Sequence, residues 1–221
     1  MRWVLANTVG EALGLGITAL VGVTVVSSLG KGTSVLVTLV LAALAILAGT
    51  LIEGTVVGTA QWLVLRRHLP GMRWAAWAVA TGAGVFLAWT LGMVPSTVLS
   101  LRAPGGQEAA PAEPSGMVVF GLAFLMGLVL GPVLGFAQWL ALRRFVSHAA
   151  LWVPANALAW AFGMVVIFAG VGPATSGGFG LGAALSLALT LACAGAVVGA
   201  THGFALVWML RSARRLGEGV R

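Results

Sequence analysis

Charged residues make up only 8% of this 221-residue chain, tyrosine is absent, and cysteine occurs once, at Cys193. Each shortage excludes something. A soluble domain carries about a quarter of its residues as Asp, Glu, Lys or Arg, so this chain cannot cover its surface for water. A lone cysteine forms no intramolecular disulfide and no cysteine metal site. No nucleophile–base grouping, phosphate-binding loop or metal-ligand spacing occurs, which argues against a conventional enzyme. No cofactor is expected either. What the chain has in abundance is apolar: 60% of its residues are hydrophobic, and the mean hydropathy is +1.05.

The apolar residues fall into six stretches: Trp3–Leu29, Ser34–Leu65, Trp74–Ser100, Gly116–Leu142, Leu151–Val171 and Gly180–Leu210. Each reaches the roughly 20 residues that cross a hydrocarbon core of about 30 Å. They are too long for barrel strands and lack alternation of period two, so helices are expected. The fold class read from sequence is therefore an all-α integral membrane protein, one six-helix domain spanning residues 1–221. The first apolar run is too long for a cleaved signal and carries Asn7 and Glu11, so it is read as a retained helix.

The excess of basic residues has a topological explanation. With the N-terminus in the cytoplasm, Arg2, Arg66, Arg67, Arg73, Arg143, Arg144, Arg211, Arg214, Arg215 and Arg221 fall inside, and only Lys31 and Arg102 fall outside. This asymmetry fixes both termini as cytoplasmic. No basic face with base-reading residues accompanies it, so nucleic acid is not an expected partner. The segment Arg102–Gly116 reads as an external Pro/Gly-rich loop, and residues 212–221 as a basic cytoplasmic tail.

Two stretches almost repeat one another. "GTAQWLVLRR" from Gly58 and "GFAQWLALRR" from Gly135 differ only at Thr59/Phe136 and Val64/Ala141. Spans 2, 4 and 6 share a wider pattern, Gly-x-x-x-Gly-x-x-(Gln or His), at Gly54, Gly131 and Gly195. Spans 1, 3 and 5 begin "WVLAN" at Trp3, "WAAWA" at Trp74 and "WVPAN" at Trp152. Together these suggest three tandem helical hairpins, at about residues 1–70, 71–146 and 147–215, in a pseudo-threefold arrangement about the membrane normal. Positions i, i+4 and i+7 share a helix face. The stripes Gly54–Gly58–Gln61, Gly131–Gly135–Gln138 and Gly195–Gly199–His202 are therefore expected to pack helices closely, with spans 2, 4 and 6 inner and 1, 3 and 5 outer.

Two carboxylates lie inside predicted spans. Glu11 sits about 12 Å beyond Trp3, and Glu53 about 20 Å before Arg66, at 1.5 Å per residue. A charge near a helix centre costs roughly 2.5–3.5 kcal/mol on insertion scales, which makes both functional candidates. Asn7 and Glu11 share a stripe on span 1, and no Lys or Arg in the spans neutralises either acid. Such a pair can exchange a proton or hold a cation. It can also serve as interhelical glue, hydrogen-bonded to Asn7, Thr50 or backbone. Gln61, Gln138 and His202 are expected to form a polar ring that either binds a ligand or ties helices together. Arg66, Arg67, Arg143 and Arg144 are candidates for anionic lipid headgroups. His202 is the only histidine inside a span, so a bis-His haem within one chain is excluded.

The "GxAQWLxLRR" and "WVxAN" signatures, at Gly58, Gly135, Trp3 and Trp152, resemble those of small bacterial multi-pass membrane proteins. The resemblance implies a prokaryotic cell membrane and brings no activity and no site residues with it. Two function classes remain open. One is proton- or cation-linked transport, or binding, of a small solute in the bundle core. The other is a non-catalytic subunit or scaffold that packs against lipids, a membrane-protein partner or a second copy of itself.

Overall fold

The backbone of residues 1–28, 34–102, 115–175 and 180–218 is described by a computed structural model, with side chains for 1–22, 34–99, 101–102, 115–172 and 180–212. The helices are α1 (Arg2–Ser28), α2 (Val35–Leu65), α3 (Trp74–Arg102), α4 (Gly116–Leu142), α5 (Trp152–Thr175) and α6 (Leu181–Glu218), with a single 3-10 turn at Ala149–Leu151 before α5. Among the described residues there are six helices long and apolar enough to cross a membrane. Lys31, most of the predicted external loop and the last residues of the basic tail lie outside the described residues.

Helix is the necessary state for such stretches, because hydrocarbon offers backbone N–H and C=O groups no other partner. The few hydroxyls within the helices obey the same constraint. Thr8 donates to Val4 O, Thr18 to Gly14 O, Thr50 to Ile46 O and Thr201 to Val197 O, each one turn back along its own helix. α2 is capped by Ser34, whose Oγ accepts from Val37 N at 3.3 Å.

α2 and α4 end the same way. Past α2, Leu69 N donates to Leu65 O at 2.8 Å, and past α4, Val146 N donates to Leu142 O at 3.2 Å. Both turns fold an apolar residue back under the bundle, so that Leu69, Met72, Val146 and Ala149 join Leu65, Leu142, Leu206 and Met209 in one buried cluster. The arginine pairs sit outside this cluster. Arg66 lies over the Trp62 ring at 4.9 Å, and Arg143 over the Trp139 ring at 5.0 Å. The outward faces of the helices carry leucine, valine and phenylalanine, as lipid contact requires.

Each helix packs on its neighbours in sequence, and α1 packs on α6, so the contacts run around the bundle and close. The glycine stripes lie at three of these seams. A Cβ placed on Gly54 would lie 2.9 Å from Gly82 Cα, and on Gly58 3.4 Å from Ala78 Cα, both in α3. On Gly135 it would lie 2.9 Å from Asn156 Cβ in α5, and on Gly199 2.8 Å from Asn7 Cβ in α1. This corrects the expectation of an inner set of even-numbered helices. The glycines of the α2, α4 and α6 stripes meet α3, α5 and α1, and the stripes of α2 and α4 touch one another through Gln61 and Gln138. The missing side chains make room for the Trp-bearing starts of those helices, which turn their indoles into the bundle.

Candidate functional site

A girdle of hydrogen-bonded side chains crosses the bundle near its arginine-bearing end. It is built from one tryptophan on each odd helix and one Gln or His on each even helix. Trp77 Nε1 donates to Gln61 Oε1 at 3.2 Å, Trp152 Nε1 to Gln138 Oε1 at 2.9 Å, and Trp3 Nε1 to His202 Nδ1 at 3.0 Å. The amides continue the chain. Gln61 Nε2 donates to Asn7 Oδ1 at 2.8 Å, and Gln138 Nε2 donates both to Thr81 Oγ1 and to Gln61 Oε1, each at 3.1 Å. Asn7 and Asn156 return their own amides to Trp3 O and Trp152 O. The three indoles meet edge to face, with centroids 5.9 Å apart for Trp3–Trp152 and 6.3 Å for Trp77–Trp152.

The predicted ring members Gln61, Gln138 and His202 are thus brought together with Asn7, and all four are buried. Three further members escaped sequence reading: Trp77, Thr81 and Asn156. The expected register took Trp74 as the counterpart of Trp3 and Trp152. The counterpart is Trp77, which is fully buried, whereas Trp74 is 44% exposed and donates to Thr59 Oγ1. The residue four positions on was the available signal, because Trp77–Thr81 matches Trp3–Asn7 and Trp152–Asn156 in placing a polar side chain one turn deeper. Trp3 and Trp152, near the ends of their spans, are buried in the bundle interior.

Beyond the girdle lie the two acids, Glu11 one turn past Asn7 and Glu53 two turns before Gln61. Glu11 and Glu53 are 2% and 5% exposed. The approach of α1 to α2 is tight here, since a Cβ on Gly14 would lie 3.0 Å from Glu53 Cα. Neither acid bonds to Asn7 or Thr50, the partners considered from sequence. Glu53 Oε2 accepts from Trp89 Nε1 on α3 at 2.8 Å. Glu11 Oε2 is buried with no hydrogen-bond partner. Gly49 makes the Trp89 contact fit, because a Cβ there would lie 2.5 Å from the indole Cε2.

Glu53 also stands in the wall of a cavity of about 570 Å³, to which all six helices contribute. The rest of the wall is apolar and aromatic. Val85, Trp89 and Met93 come from α3, Met126 and Leu130 from α4, Trp160, Met164 and Phe168 from α5, and Leu191 from α6. On α3 the lining runs from Val85 to Ser96, about 16 Å along the axis at 1.5 Å per residue. Residues with a polar side-chain group are few in it: Glu53, Ser96, Trp89 and Trp160. Trp160 Nε1 is buried and has no acceptor. A volume in the range 300–1,000 Å³, an apolar wall and a small number of placed polar groups are the usual properties of a small-molecule site.

The remaining candidates do not converge. Arg66, Arg67, Arg143 and Arg144 lie exposed at the end opposite the cavity, beyond the girdle. Cys193 is exposed and free, and no group of His, Cys, Asp and Glu among the described residues is disposed to hold a metal ion. The chain matches no protein-family model, no curated protein and no solved structure.

Proposed function

We propose that this protein binds a small solute in the core of its helix bundle and couples that binding, or the solute's passage across the membrane, to a proton or cation held by Glu11 and Glu53. The observation that carries the reading is the cavity of about 570 Å³ with Glu53 in its wall. A carboxyl is expensive at this depth, and both acids could be leucine if packing were their only task. Glu53 has one indole donor, and one Glu11 oxygen has none. That leaves room for a proton or a positive charge.

The girdle supports a different role for the Gln/His ring. Gln61 and Gln138 each use both ends of their amides within the protein. Their place is structural: they tie helices together and close the bundle on the arginine-bearing side. We infer that the three hairpins are related by pseudo-threefold symmetry, on the strength of the recurring Trp-to-Gln/His bond between successive hairpins. We place the arginine-bearing end, with both termini, in the cytoplasm of a prokaryotic cell, on the distribution of basic residues.

Proteoliposome flux separates this reading from a purely packing subunit. With an imposed pH gradient, the native protein is expected to move protons or alkali cations, and Glu11→Gln together with Glu53→Gln is expected to abolish that flux while the protein stays folded. Flux equal to that of the native protein in the double variant sinks the coupled-transport reading. Absence of flux from the native protein, together with co-purification of a stoichiometric membrane protein in gentle detergent, favours the subunit reading.

A further inference from the structure

We infer that the solute this cavity takes is a lipophilic organic cation, a bulky apolar body carrying one delocalised or quaternary positive charge. The inference rests on the core-binding reading above and names its substrate class. Three independent observations point the same way. The wall is overwhelmingly hydrocarbon, so the body must be apolar, because an unmatched polar group transferred into such a site costs several kcal/mol.

The charge follows from Glu53. Glu53 lines the cavity, and its Oε2 accepts from the Trp89 N–H. The described arginines, Arg2, Arg66, Arg67, Arg73, Arg102, Arg143, Arg144 and Arg211, sit at or beyond the ends of the spans, away from it. The counter-charge that would balance an ionised Glu53 is therefore absent from the protein and has to come from outside. An anionic solute is disfavoured for the same reason.

The aromatic lining selects the kind of cation. Trp89, Trp160 and Phe168 stand around the cavity, and aromatic faces attract cations most effectively where water is excluded. A quaternary or delocalised cation gains this attraction and carries little hydration to lose. A compact ammonium or alkali ion would have to shed its water in a wall that offers few oxygens.

Proton coupling follows by charge balance. If Glu53 rests in its protonated form, the cation's arrival converts the carboxylic acid to a carboxylate paired with the cation, and one proton leaves. The proton passes to bulk water, so one cation enters as one proton leaves. Charge and atoms balance with no further reactant.

The test uses two ions of the same shape and opposite sign, tetraphenylphosphonium and tetraphenylborate, on the full chain in nanodiscs, with partition into empty nanodiscs subtracted. Saturable phosphonium binding is expected, at least about tenfold tighter than borate and at least about tenfold weaker in Glu53→Gln. Gly92→Leu provides a second variant. Gly92 lines the cavity, and a Cβ there meets nothing within 4 Å, so the substitution fills space without a backbone clash and should abolish binding. Equal binding of the two ions to the native protein, or phosphonium binding unchanged in Glu53→Gln, overturns the cationic class. If Gly92→Leu still abolishes that binding, the core-binding reading survives. Saturable binding of neither ion overturns both. The comparison of the two ions on the native protein stands even where a variant fails to fold.

Discussion

Gln138 donates its side-chain amide to Gln61 Oε1 at 3.1 Å, joining the two copies of the "AQWL" tetrad directly across the bundle. Residues 77 positions apart in sequence thus meet in one buried hydrogen bond. The bond belongs to a girdle in which the same Gln138 also accepts from Trp152 and donates to Thr81. A polar network buried in a low-dielectric bundle is strong when complete and costly when broken.

Gln138→Leu should therefore destabilise the protein well beyond its change in volume. The Trp152 indole N–H would lose its acceptor, at about 1–3 kcal/mol for a buried group left unpaired. Equilibrium unfolding in mixed micelles measures the loss. A change below about 0.5 kcal/mol, within the range of an ordinary surface substitution, would show that the girdle is not holding the helices.

His202 marks the place where α6 departs from α2 and α4. On α2, Gln61 accepts from an indole and donates to Asn7 Oδ1. On α6, His202 accepts from Trp3, but Asn156 Oδ1 is buried with no partner. His202 packs on the Trp152 ring with centroids 5.0 Å apart, one turn from Asn156. His202→Gln is expected to restore the missing bond and raise stability by about 1 kcal/mol, read as a higher midpoint in thermal denaturation. A lower midpoint would count against the pseudo-threefold relation.

Gly49→Ala tests the seating of Trp89 on Glu53. The added Cβ would lie within 2.5–2.8 Å of three indole atoms, so the ring must move and its bond to Glu53 must stretch. Overpacking of this kind costs about 1–3 kcal/mol. Gly182→Ala is the control: it lies in α6 with nothing within 4 Å of its Cβ and should be neutral or gain up to about 1 kcal/mol of helix propensity. Equal effects of the two changes would remove the argument for a packed Gly49.

The spans were legible in the sequence because hydrocarbon length leaves few options. Ser34–Leu65 and Gly116–Leu142, read from hydropathy, match α2 and α4 within one residue at each end. The glycine stripes were legible as packing faces, but not their partners, because small-residue spacing says that something approaches closely and not what it is. Trp77 was missed for a related reason. In "WAAW" either indole could begin the repeat, and the deciding feature is the hydroxyl of Thr81 one turn on, which only a hydrogen-bond argument brings out. Glu53 was singled out by its burial cost, whereas Trp89 could not be paired with it across 36 residues of sequence. The cavity was invisible altogether, since it is space left between side chains from six helices, and no local pattern encodes it.

The central claim is that the solute site lies in the bundle core against Glu53. The most direct measurement is the anomalous signal of tetraphenylarsonium soaked into crystals of the native protein grown in a lipidic mesophase. The account predicts one dominant arsenic peak inside the cavity, between Glu53 and Trp160, and its disappearance in Gly92→Leu crystals. An arsenic peak confined to the lipid-facing surface, or an acyl chain filling the cavity with no arsenic in it, would contradict the account.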